Sequence, residues 1–506
     1  MANPEQNAFV VHKFGGTSIG KFPDQAADII ASAVLNGCMA AVVCSARSPG
    51  KKVHGTTSQL LEVHLILKRM VTIAHGERMK NILRDELQAI VYGIRDEHVS
   101  AIKTFVQSPD MQDEACRKIG EDCQQLLDYT DAAVRFNLDI DAHSKDRITS
   151  LGEKLSCRFM AAMLRDRNVD ADYVHLSDIM FCGSSDCLPQ KYFRRAAETF
   201  GKRILACNSK VPVITGFFGS VPGSLMDGGI GRGYADLCAA LVAVGLQARK
   251  LQIWKEVDGI FTADPIEVPN AKLLASITPE EAAELTFYGS EVIHPLALGL
   301  TTQAKPHIET VIKNVQKPWS PGTVIVPDTI QHTARHMMSP EPLSTTSLSE
   351  TMMRKPTALT IKRSITVLNI NSNRKFMSYD FFAKIFKILE GCGIVVDIIS
   401  TSEVNISMAI STVNINKMRA NTVRAELGDV AEVNMLPDMA ILSLVGRQLK
   451  NMTGIAGRMF SVLGDHHVNV EMISQGASEI NISCVIPEKD ATRAINVLHM
   501  ELLDAS

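Results

Sequence analysis

Short apolar segments alternate with longer segments of helical periodicity over roughly the first 330 residues. AFVVHKF and CMAAVVCSA are bounded by Gly or Ser, as buried parallel strands are, and VPVITGFFG and KLQIWKEVDGIFTADP have the pattern of a strand followed by a loop. LLEVHLILKRM and KLSCRFMAAMLRDR carry apolar residues at helical spacing. This alternation predicts an α/β domain with a largely parallel central sheet.

An internal repeat follows a change in composition near Val326. The segment PDTIQHTARHMMSPEPLSTTSLSETMMRKP is polar and lacks periodicity, which predicts a linker. Beyond it, IFKILEGCGIVVDIISTSEVNISM (from Ile385) aligns with MFSVLGDHHVNVEMISQGASEINISC (from Met459). Each copy predicts a helix and two strands, and such repeated units normally pack against each other. Neither copy contains a catalytic constellation, which favours a binding or regulatory role.

Composition and charge narrow the classes of partner. The net charge is −3, with 46% hydrophobic and 21% charged residues, so neither nucleic acid nor an anionic membrane is expected as a partner. No apolar run is long enough to span a bilayer, and the N-terminus resembles neither a secretory signal nor a transit peptide, so we expect a cytoplasmic protein. The 11 cysteines are scattered without a CxxC spacing and predict reduced thiols rather than disulfides.

A glycine-rich turn directly follows the first predicted strand, in VVHKFGGTSIGK. Backbone N–H groups in such a turn can bind phosphate oxygens. The segment GGTSIGKF misses the P-loop pattern by one residue, because Phe22 has no hydroxyl to coordinate Mg²⁺. Three interpretations are therefore open at this point: a P-loop, another phosphate-binding turn, or a tight turn with a surface lysine.

Other polar segments are expected at the same edge of the sheet, because ligands bind outside the carboxyl ends of parallel strands. They are Ser45-Ala46-Arg47, Gly55-Thr56-Thr57, Thr149-Ser150-Leu151-Gly152-Glu153, the glycine-rich MDGGIGRGYADL with Arg232 and Asp236, and WKEVDGIFTADP. The presence of these polar segments at the same edge favours a ligand-binding site over an isolated glycine-rich turn.

Six motifs in this order resemble those of the aspartate kinases, in particular the fungal ones: KFGGTS, SAR…GTTSQLL, LGEKLS, GIGRGYADL, WKEVDGIFTADP and FYGSEVIHP. The resemblance extends from about Val10 to Ser506, because the repeat resembles the tandem ACT domains of that family. It implies an amino-acid-kinase fold with a mostly parallel sheet and two ferredoxin-like ACT modules. The implied domains are 1–328 (kinase), 329–358 (linker), 359–436 (first ACT module) and 437–506 (second ACT module).

The resemblance also implies the chemistry. The family transfers the γ-phosphate of ATP to the β-carboxylate of L-aspartate, with Mg²⁺ arriving on the nucleotide and no protein metal site. Lys13, expected on a loop edge, would contact the transferred phosphoryl group, and Asp236 would orient Lys13. His294 is either catalytic or a buried structural histidine. No general base is needed, because the acceptor carboxylate is already ionised.

Further site residues follow from the same resemblance. Those implied for aspartate are Ser45, Thr57, Glu153 (facing the α-ammonium) and Arg232 (binding the α-carboxylate). Those implied for ATP are Gly15, Gly16, Lys255, Glu256, Phe261, Glu291 and Val292. Those implied for an amino-acid effector, threonine in the fungal enzymes, are Ser378, Asp380, Asp397, Thr401, Ser402, Asn469 and Gln475. A homo-oligomer formed through the ACT modules is also expected.

Three residues depart from the family pattern. Ala235 replaces a residue with a hydroxyl, Ile266 replaces an arginine that contacts the nucleotide, and Asp380 replaces a glycine at the start of the first ACT helix. A carboxylate at that helix start predicts weak inhibition by threonine, because it competes for the N–H groups that an effector carboxylate needs. The substitutions leave two alternatives open: a paralogue dedicated to a specialised pathway, and a catalytically weak amino-acid sensor.

Overall fold

The computed structural model describes residues 8–50, 55–73, 77–177, 189–207, 210–219, 233–287, 293–327, 355–372, 379–402, 405–412, 417–428, 431–447, 449–476 and 480–504. Two compact units are present. The first comprises Met1–Ile260 and Ile293–Pro327, and the second comprises Phe261–Val292 and Asp328–Ser506. No helix in the described ranges is both long and apolar enough to cross a membrane. The described cysteines are all free thiols.

A largely parallel sheet forms the centre of the first unit. Its strands are β1 (Phe9–Phe14), β2 (Met39–Cys44), β3 (Ala171–Val174), β4 (Val211–Thr215), β5 (Lys250–Lys255), β7 (Glu309–Asn314) and β8 (Thr323–Ile325), in the order β3-β4-β2-β1-β5-β7-β8. All neighbouring pairs are parallel except β7 and β8. The predicted parallel sheet is therefore confirmed.

Helices cover the sheet of the first unit. They are α1 (Gly16–Lys21), α2 (Pro23–Leu35), α3 (Thr56–Thr72), α4 (Glu77–Phe105), α5 (Pro109–Arg135), α6 (Ala142–Thr149), α7 (Leu151–Asp166), α8 (Pro189–Leu205), α9 (Tyr234–Gly245) and α11 (Pro295–Gln303). Proline occupies the first turn of α2 and α5, where its missing N–H has no helical partner to lose. Helix α7 is buried along most of its length, and it packs with α3, α4 and α5 in one hydrophobic core.

The register of the central strands brings several chain segments to one edge of the sheet. Strand β1 pairs Lys13 with Val43 of β2 and with Ile253 of β5, and Cys44 of β2 pairs with Thr215 of β4. The segments that follow these strands therefore begin side by side. This is the edge where the sequence pattern predicts a ligand site.

The second unit contains an antiparallel sheet with the predicted internal repeat. Its elements are β6 (Ser276–Ile277), α10 (Pro279–Phe287), β9 (Ala358–Ser372), α12 (Tyr379–Gly391), β10 (Val396–Thr401), β11 (Asn405–Ser411), α13 (Lys417–Gly428), β12 (Ala431–Val445), α14 (Ile455–Asp465), β13 (Met472–Ser474), β14 (Asn481–Pro487) and α15 (Ala491–Leu498), followed by a π-helical turn (His499–Asp504). The order β10-β11-β9-β12-β14-β13 makes one 6-stranded sheet. The predicted helix, strand and strand are present in both copies, α12-β10-β11 and α14-β13-β14.

Curvature of this sheet brings its two edge strands near each other. Strands β10 and β13 stand at opposite ends of the strand order, yet they contact each other. Ile398 of β10 and Met472 of β13 share a buried cluster with Ile441 and Val485. The two repeated copies therefore pack together, as such units were predicted to do.

Residues 261–287 pack within the second unit, although the resemblance assigns them to the kinase domain. Ala263 and Val268 belong to the same buried cluster as Leu359 and Leu442. Buried Glu281 accepts hydrogen bonds from the Thr357 hydroxyl (2.6 Å) and from other donors of this unit. The division by packing thus differs from the predicted domain boundaries, which remain a prediction. Most of the predicted linker lies outside the described residues.

Candidate active site

A buried ion pair lies at the carboxyl edge of the first unit's sheet. The Nζ atom of Lys13 is 2.6 Å from Oδ1 of Asp236, and both side chains are less than a tenth exposed. Lys13 lies inside strand β1, one residue before its end, rather than on the loop edge where it was expected. An ammonium group tolerates this burial because Asp236, in the first turn of α9, neutralises it. The predicted orientation of Lys13 by Asp236 agrees with this contact.

Other positive charge surrounds Asp236. Burial opposes ionisation of this carboxyl, but Lys13, and then Lys255 and His294, hold its pKa below the usual value. His294 is the N-terminal cap of α11, where its Nδ1 accepts a hydrogen bond from the Leu296 N–H (3.3 Å). This contact gives His294 a structural role, and its proximity to Asp236 leaves the predicted catalytic role open as a proposal.

Glu153 presents a second buried carboxylate at this edge. It lies in the first turn of α7 and is only 2% exposed. Its Oε1 accepts a hydrogen bond from the Tyr234 hydroxyl. Its Oε2 is buried without a well-aligned hydrogen bond in the described part of the chain, although the amides of Ala46 and Glu153 lie close to the carboxylate.

The electrostatic state of Glu153 fits a cationic ligand group. Burial raises the pKa of Glu153 to about 7, while Tyr234, the two nearby amides and Lys13 oppose this rise. A buried anion is stabilised strongly by an opposite charge with good hydrogen-bond geometry. Oε2 of Glu153 is therefore suited to bind an ammonium group.

Hydrogen bonds tie the glycine-rich turn to the end of strand β5. The Gly15 N–H donates to the Trp254 carbonyl (3.3 Å), and the Ser18 hydroxyl contacts the same carbonyl (3.2 Å). The Ser18 hydroxyl also lies 2.6 Å from Oε1 of Glu256. The turn therefore has a fixed position beside Lys255 and Glu256, two residues predicted to bind ATP.

The remaining predicted substrate and nucleotide residues lie in the first unit, in the second unit or outside the described residues. Ser45 directly follows β2, and its N–H donates to the Phe14 carbonyl (3.2 Å), while half-buried Thr57 lies in the first turn of α3. Gly16 begins α1. Phe261 belongs to the second unit, where it forms a β-bridge with Leu273. Arg232, Glu291 and Val292 lie outside the described residues.

The predicted effector residues whose side chains the structure describes lie in or near the two edge strands of the second unit. The side chain of Asp397 on β10 is buried, and its Oδ1 lies 2.6 Å from Nζ of Lys362 on β9. Asn469 donates to Oε1 of Glu471 (2.7 Å), and the Ser402 N–H donates to the Asn405 carbonyl (2.8 Å). Thr401 and Gln475 are exposed. Ser378 and the side chain of Asp380 lie outside the described residues.

Two contacting residues were missed by sequence reasoning. Tyr234 holds Glu153 from a position 81 residues away, and Lys362 neutralises Asp397 from another strand. The motif GRGYADL contains Tyr234, and a buried carboxylate requires a donor, so that residue could have been considered. Nothing in the sequence near Lys362 indicates its partner, because the pairing depends on the register of two strands.

Within the described residues, no metal site formed by side chains is found at the sheet edge of the first unit or among the predicted effector residues. In the described ranges no group of three or more His, Cys, Asp or Glu residues has the arrangement needed to hold a metal ion. The carboxylate of Asp236 is engaged by Lys13.

Comparison with known protein families identifies the family to which this chain belongs. The sequence model of the amino acid kinase family matches residues 8–314, which include Lys13, Glu153 and Asp236. The chain belongs to the amino acid kinase family. An ACT domain model matches residues 442–502 of this amino acid kinase. The predicted family and fold class are thus confirmed.

Relatives of this amino acid kinase match over nearly its full length. Aspartate kinase FUB3 of Gibberella moniliformis is 59% identical over 505 residues, with 99% of each chain covered. The aspartokinase of Schizosaccharomyces pombe is 45% identical, covering 99% of this chain and 94% of that protein. The structure of E. coli aspartokinase III in complex with aspartate and ADP has a TM-score of 0.68 at 25% identity, covering 98% of this chain and 99% of the other.

Proposed function

We propose that this amino acid kinase transfers the γ-phosphoryl group of ATP to the β-carboxylate of L-aspartate, forming 4-phospho-L-aspartate. The carrying observation is the buried Lys13–Asp236 pair at the same sheet edge as the buried Glu153, whose Oε1 accepts a hydrogen bond from the Tyr234 hydroxyl. The first arrangement suits a transferring phosphoryl group, and the second suits the ammonium of an amino acid. The relatives named aspartate kinase and aspartokinase support this substrate.

Positioning and charge stabilisation are sufficient for the proposed reaction. A β-carboxylate oxygen attacks the γ-phosphorus, the bond from phosphorus to the bridging oxygen breaks, and ADP leaves with that electron pair. The acceptor is ionised near pH 7, so no proton has to be removed from it. Lys13 supplies positive charge where negative charge is distributed over the phosphoryl oxygens. Asp236 holds Lys13 in place, and we assign no general base.

Substrate orientation involves residues on several segments. Glu153 binds the α-ammonium of aspartate, with Ser45 and Thr57 as hydrogen-bonding neighbours and Arg232 as the partner of the α-carboxylate. Gly15, Gly16, Lys255, Glu256, Phe261, Glu291 and Val292 contact the nucleotide in this proposal. Mg²⁺ arrives with ATP and keeps several of its water ligands, as it usually does at phosphate sites.

The pathway served by this activity is a further part of the proposal. Three relatives named aspartate kinase FUB3 are 53–59% identical, whereas the aspartokinases of Schizosaccharomyces pombe, Candida albicans and Saccharomyces cerevisiae are 42–45% identical. This difference supports a paralogue dedicated to a specialised pathway over one that supplies homoserine, threonine and methionine. The identities of the neighbouring genes would test this assignment.

Control by a small amino acid is proposed for the second unit. Asp397, whose side chain is buried, and the residues flanking β13 form an effector site, and threonine is a weakly inhibiting ligand of this site. The ACT modules of different copies of the chain associate with each other. The related E. coli aspartokinase III, solved with lysine and aspartate, is 26% identical with a TM-score of 0.70. We place the protein in the cytoplasm.

A coupled assay of ADP release tests the proposed substrate. The panel of acceptors is L-aspartate, D-aspartate, L-glutamate and succinate, which lacks the ammonium group. L-aspartate should give the highest kcat/KM, and succinate should be at least about 10-fold poorer because it leaves buried Glu153 without its partner. Equal rates with succinate would contradict the role of Glu153. Absence of release with every acceptor, together with retained amino-acid binding, would instead support a sensor.

A further inference from the structure

Residues 45–48, called the central loop below, touch three segments that carry proposed site residues. The Ser48 N–H donates to the Gly16 carbonyl in the glycine-rich turn (2.9 Å). The Arg47 carbonyl accepts from the Thr56 hydroxyl (2.7 Å), next to Thr57. The Arg47 N–H donates to the Ser156 hydroxyl in α7, the helix that carries Glu153 (2.8 Å). The phosphate turn and the aspartate residues are thus linked through one short loop.

Close packing makes the position of the central loop critical. A Cβ atom on Gly16 would lie 2.0 Å from the Ala46 carbonyl oxygen, and one on Gly152 would lie 2.7 Å from Cβ of Ala46. Neither gap could hold another atom. A small displacement of the central loop would therefore move the glycine-rich turn and the start of α7.

The Arg47 side chain anchors the central loop to the helical layer. Its guanidinium group is 5% exposed and forms an ion pair with Glu97 of α4. It also lies 5.4 Å from the centre of the Phe159 ring, and its Nη2 is 3.4 Å from the Gly20 carbonyl oxygen. Neighbouring His98 is fully buried, and burial lowers its pKa to about 4, so it is neutral near pH 7. Glu97 is the carboxylate that balances Arg47.

We propose that Arg47 and Glu97 are a positioning pair for phosphoryl transfer. The buried guanidinium sets the place of the central loop, and the central loop sets the distance between the glycine-rich turn and Glu153. Arg47 acts through its backbone contacts and has no role in binding substrate. The kinetic test of this inference rests on the proposed kinase activity, whereas its hydrogen-exchange test rests on the fold alone.

A second ion pair in the same helical layer provides a matched control. Arg158 of α7 binds Asp122 of α5 (2.7 Å), and its guanidinium lies 4.3 Å from the centre of the Tyr173 ring. Like the Arg47–Glu97 pair, it joins two elements of one core and stacks on an aromatic ring. In the described part of the chain, its side-chain hydrogen bonds reach only Asp122.

The test compares Arg47→Met, Glu97→Gln and the control Arg158→Met in the full-length chain. Melting temperature, kcat, both KM values and amide hydrogen exchange are measured for each protein. Arg47→Met should lower kcat at least about 10-fold and Glu97→Gln about 3-fold, while Arg158→Met should stay within about 2-fold at a comparable loss of melting temperature. Arg47→Met should also exchange faster at peptides covering 15–22 and 44–57, which Arg158→Met should not.

Two outcomes would contradict the proposal that Arg47 and Glu97 position the central loop. One is a kcat loss in Arg47→Met no larger than that in Arg158→Met. The other is unchanged exchange at 15–22 and 44–57. If Arg47→Met does not fold, the Glu97→Gln variant tests the proposal instead. An unchanged kcat and an unchanged exchange pattern in that variant would contradict the positioning role of Arg47 and Glu97. The amide hydrogen-exchange measurement needs no substrate, so it separates failure of this inference from failure of the proposed aspartate kinase activity.

Discussion

Replacing Lys13 with methionine is expected to lower kcat for phosphoryl transfer by at least about 100-fold, because a preorganised charge on the reacting group has effects of this size. The substitution also leaves the Asp236 carboxylate buried without its closest partner. Breaking a buried ion pair in this way costs roughly 3–5 kcal/mol of stability. Lys255 lies close enough to reduce that cost. The measurement is steady-state ADP release together with thermal unfolding.

A double variant separates the catalytic effect from the stability effect. Lys13→Met with Asp236→Asn removes both charges, so it should regain much of the melting temperature lost by Lys13→Met alone. Its kcat should remain at least about 100-fold below that of the unmodified protein. Recovery of both stability and turnover would show that Lys13 serves the fold rather than the reaction.

Replacing Glu153 with glutamine is expected to raise the KM for L-aspartate by roughly 10- to 100-fold, because a hydrogen bond to a charged group contributes about 1.5–3 kcal/mol. The KM for ATP should change little. In the unmodified protein, kcat/KM for aspartate should rise with pH through about 7, as Glu153 of the free enzyme ionises. The variant should lack this rise, since glutamine does not titrate.

The same substitution should stabilise the fold at high pH. Burial raises the pKa of Glu153 from 4.5 to about 7, so between these values the folded protein holds this proton more firmly than the unfolded chain. The free energy of unfolding therefore falls as pH rises through this window. At pH 8 Glu153→Gln should gain roughly 3 kcal/mol, and the gain should vanish below about pH 4.5.

Thermal unfolding at pH 8 and pH 5, with kinetics at several pH values, checks both effects of Glu153→Gln. The exposed Glu121→Gln is the control, and it should alter neither the pH dependence of kcat/KM nor the melting temperature at pH 8. A Glu153→Gln variant with lower stability at pH 8 would contradict the raised pKa. An unchanged KM for aspartate would contradict the assignment to the ammonium group.

Local patterns along the chain predicted much of this fold. The apolar segments at Val10 and Ala40 become adjacent parallel strands, because runs buried on both faces suit the interior of such a sheet. The repeat predicted the order of elements in the second unit, since each copy needs its twin to cover the sheet. The predicted pairing of Lys13 with Asp236 came from family resemblance, and no local pattern connects residues so far apart in sequence.

Tertiary contacts determine the features that sequence patterns did not reveal. Lys13 was expected on a loop, because lysine is rarely buried without a partner and that partner lies far away in the chain. The hydrogen bond from Tyr234 to Glu153 and the ion pair of Lys362 with Asp397 likewise depend on how elements meet. The packing of residues 261–287 with the second unit depends on long-range contacts such as that of Glu281 with Thr357.

Trapping the product with hydroxylamine tests whether the β-carboxylate of aspartate is phosphorylated, because an acyl phosphate reacts with hydroxylamine to give a hydroxamate whereas ATP hydrolysis gives none. The full-length protein is incubated with ATP, Mg²⁺, L-aspartate and hydroxylamine, and the hydroxamate is identified by mass spectrometry against α- and β-aspartyl standards. We expect β-aspartyl hydroxamate in an amount matching the ADP formed, with none in the Lys13→Met variant. ADP formation without hydroxamate, or a product carrying the α-hydroxamate, would contradict phosphorylation of the β-carboxylate.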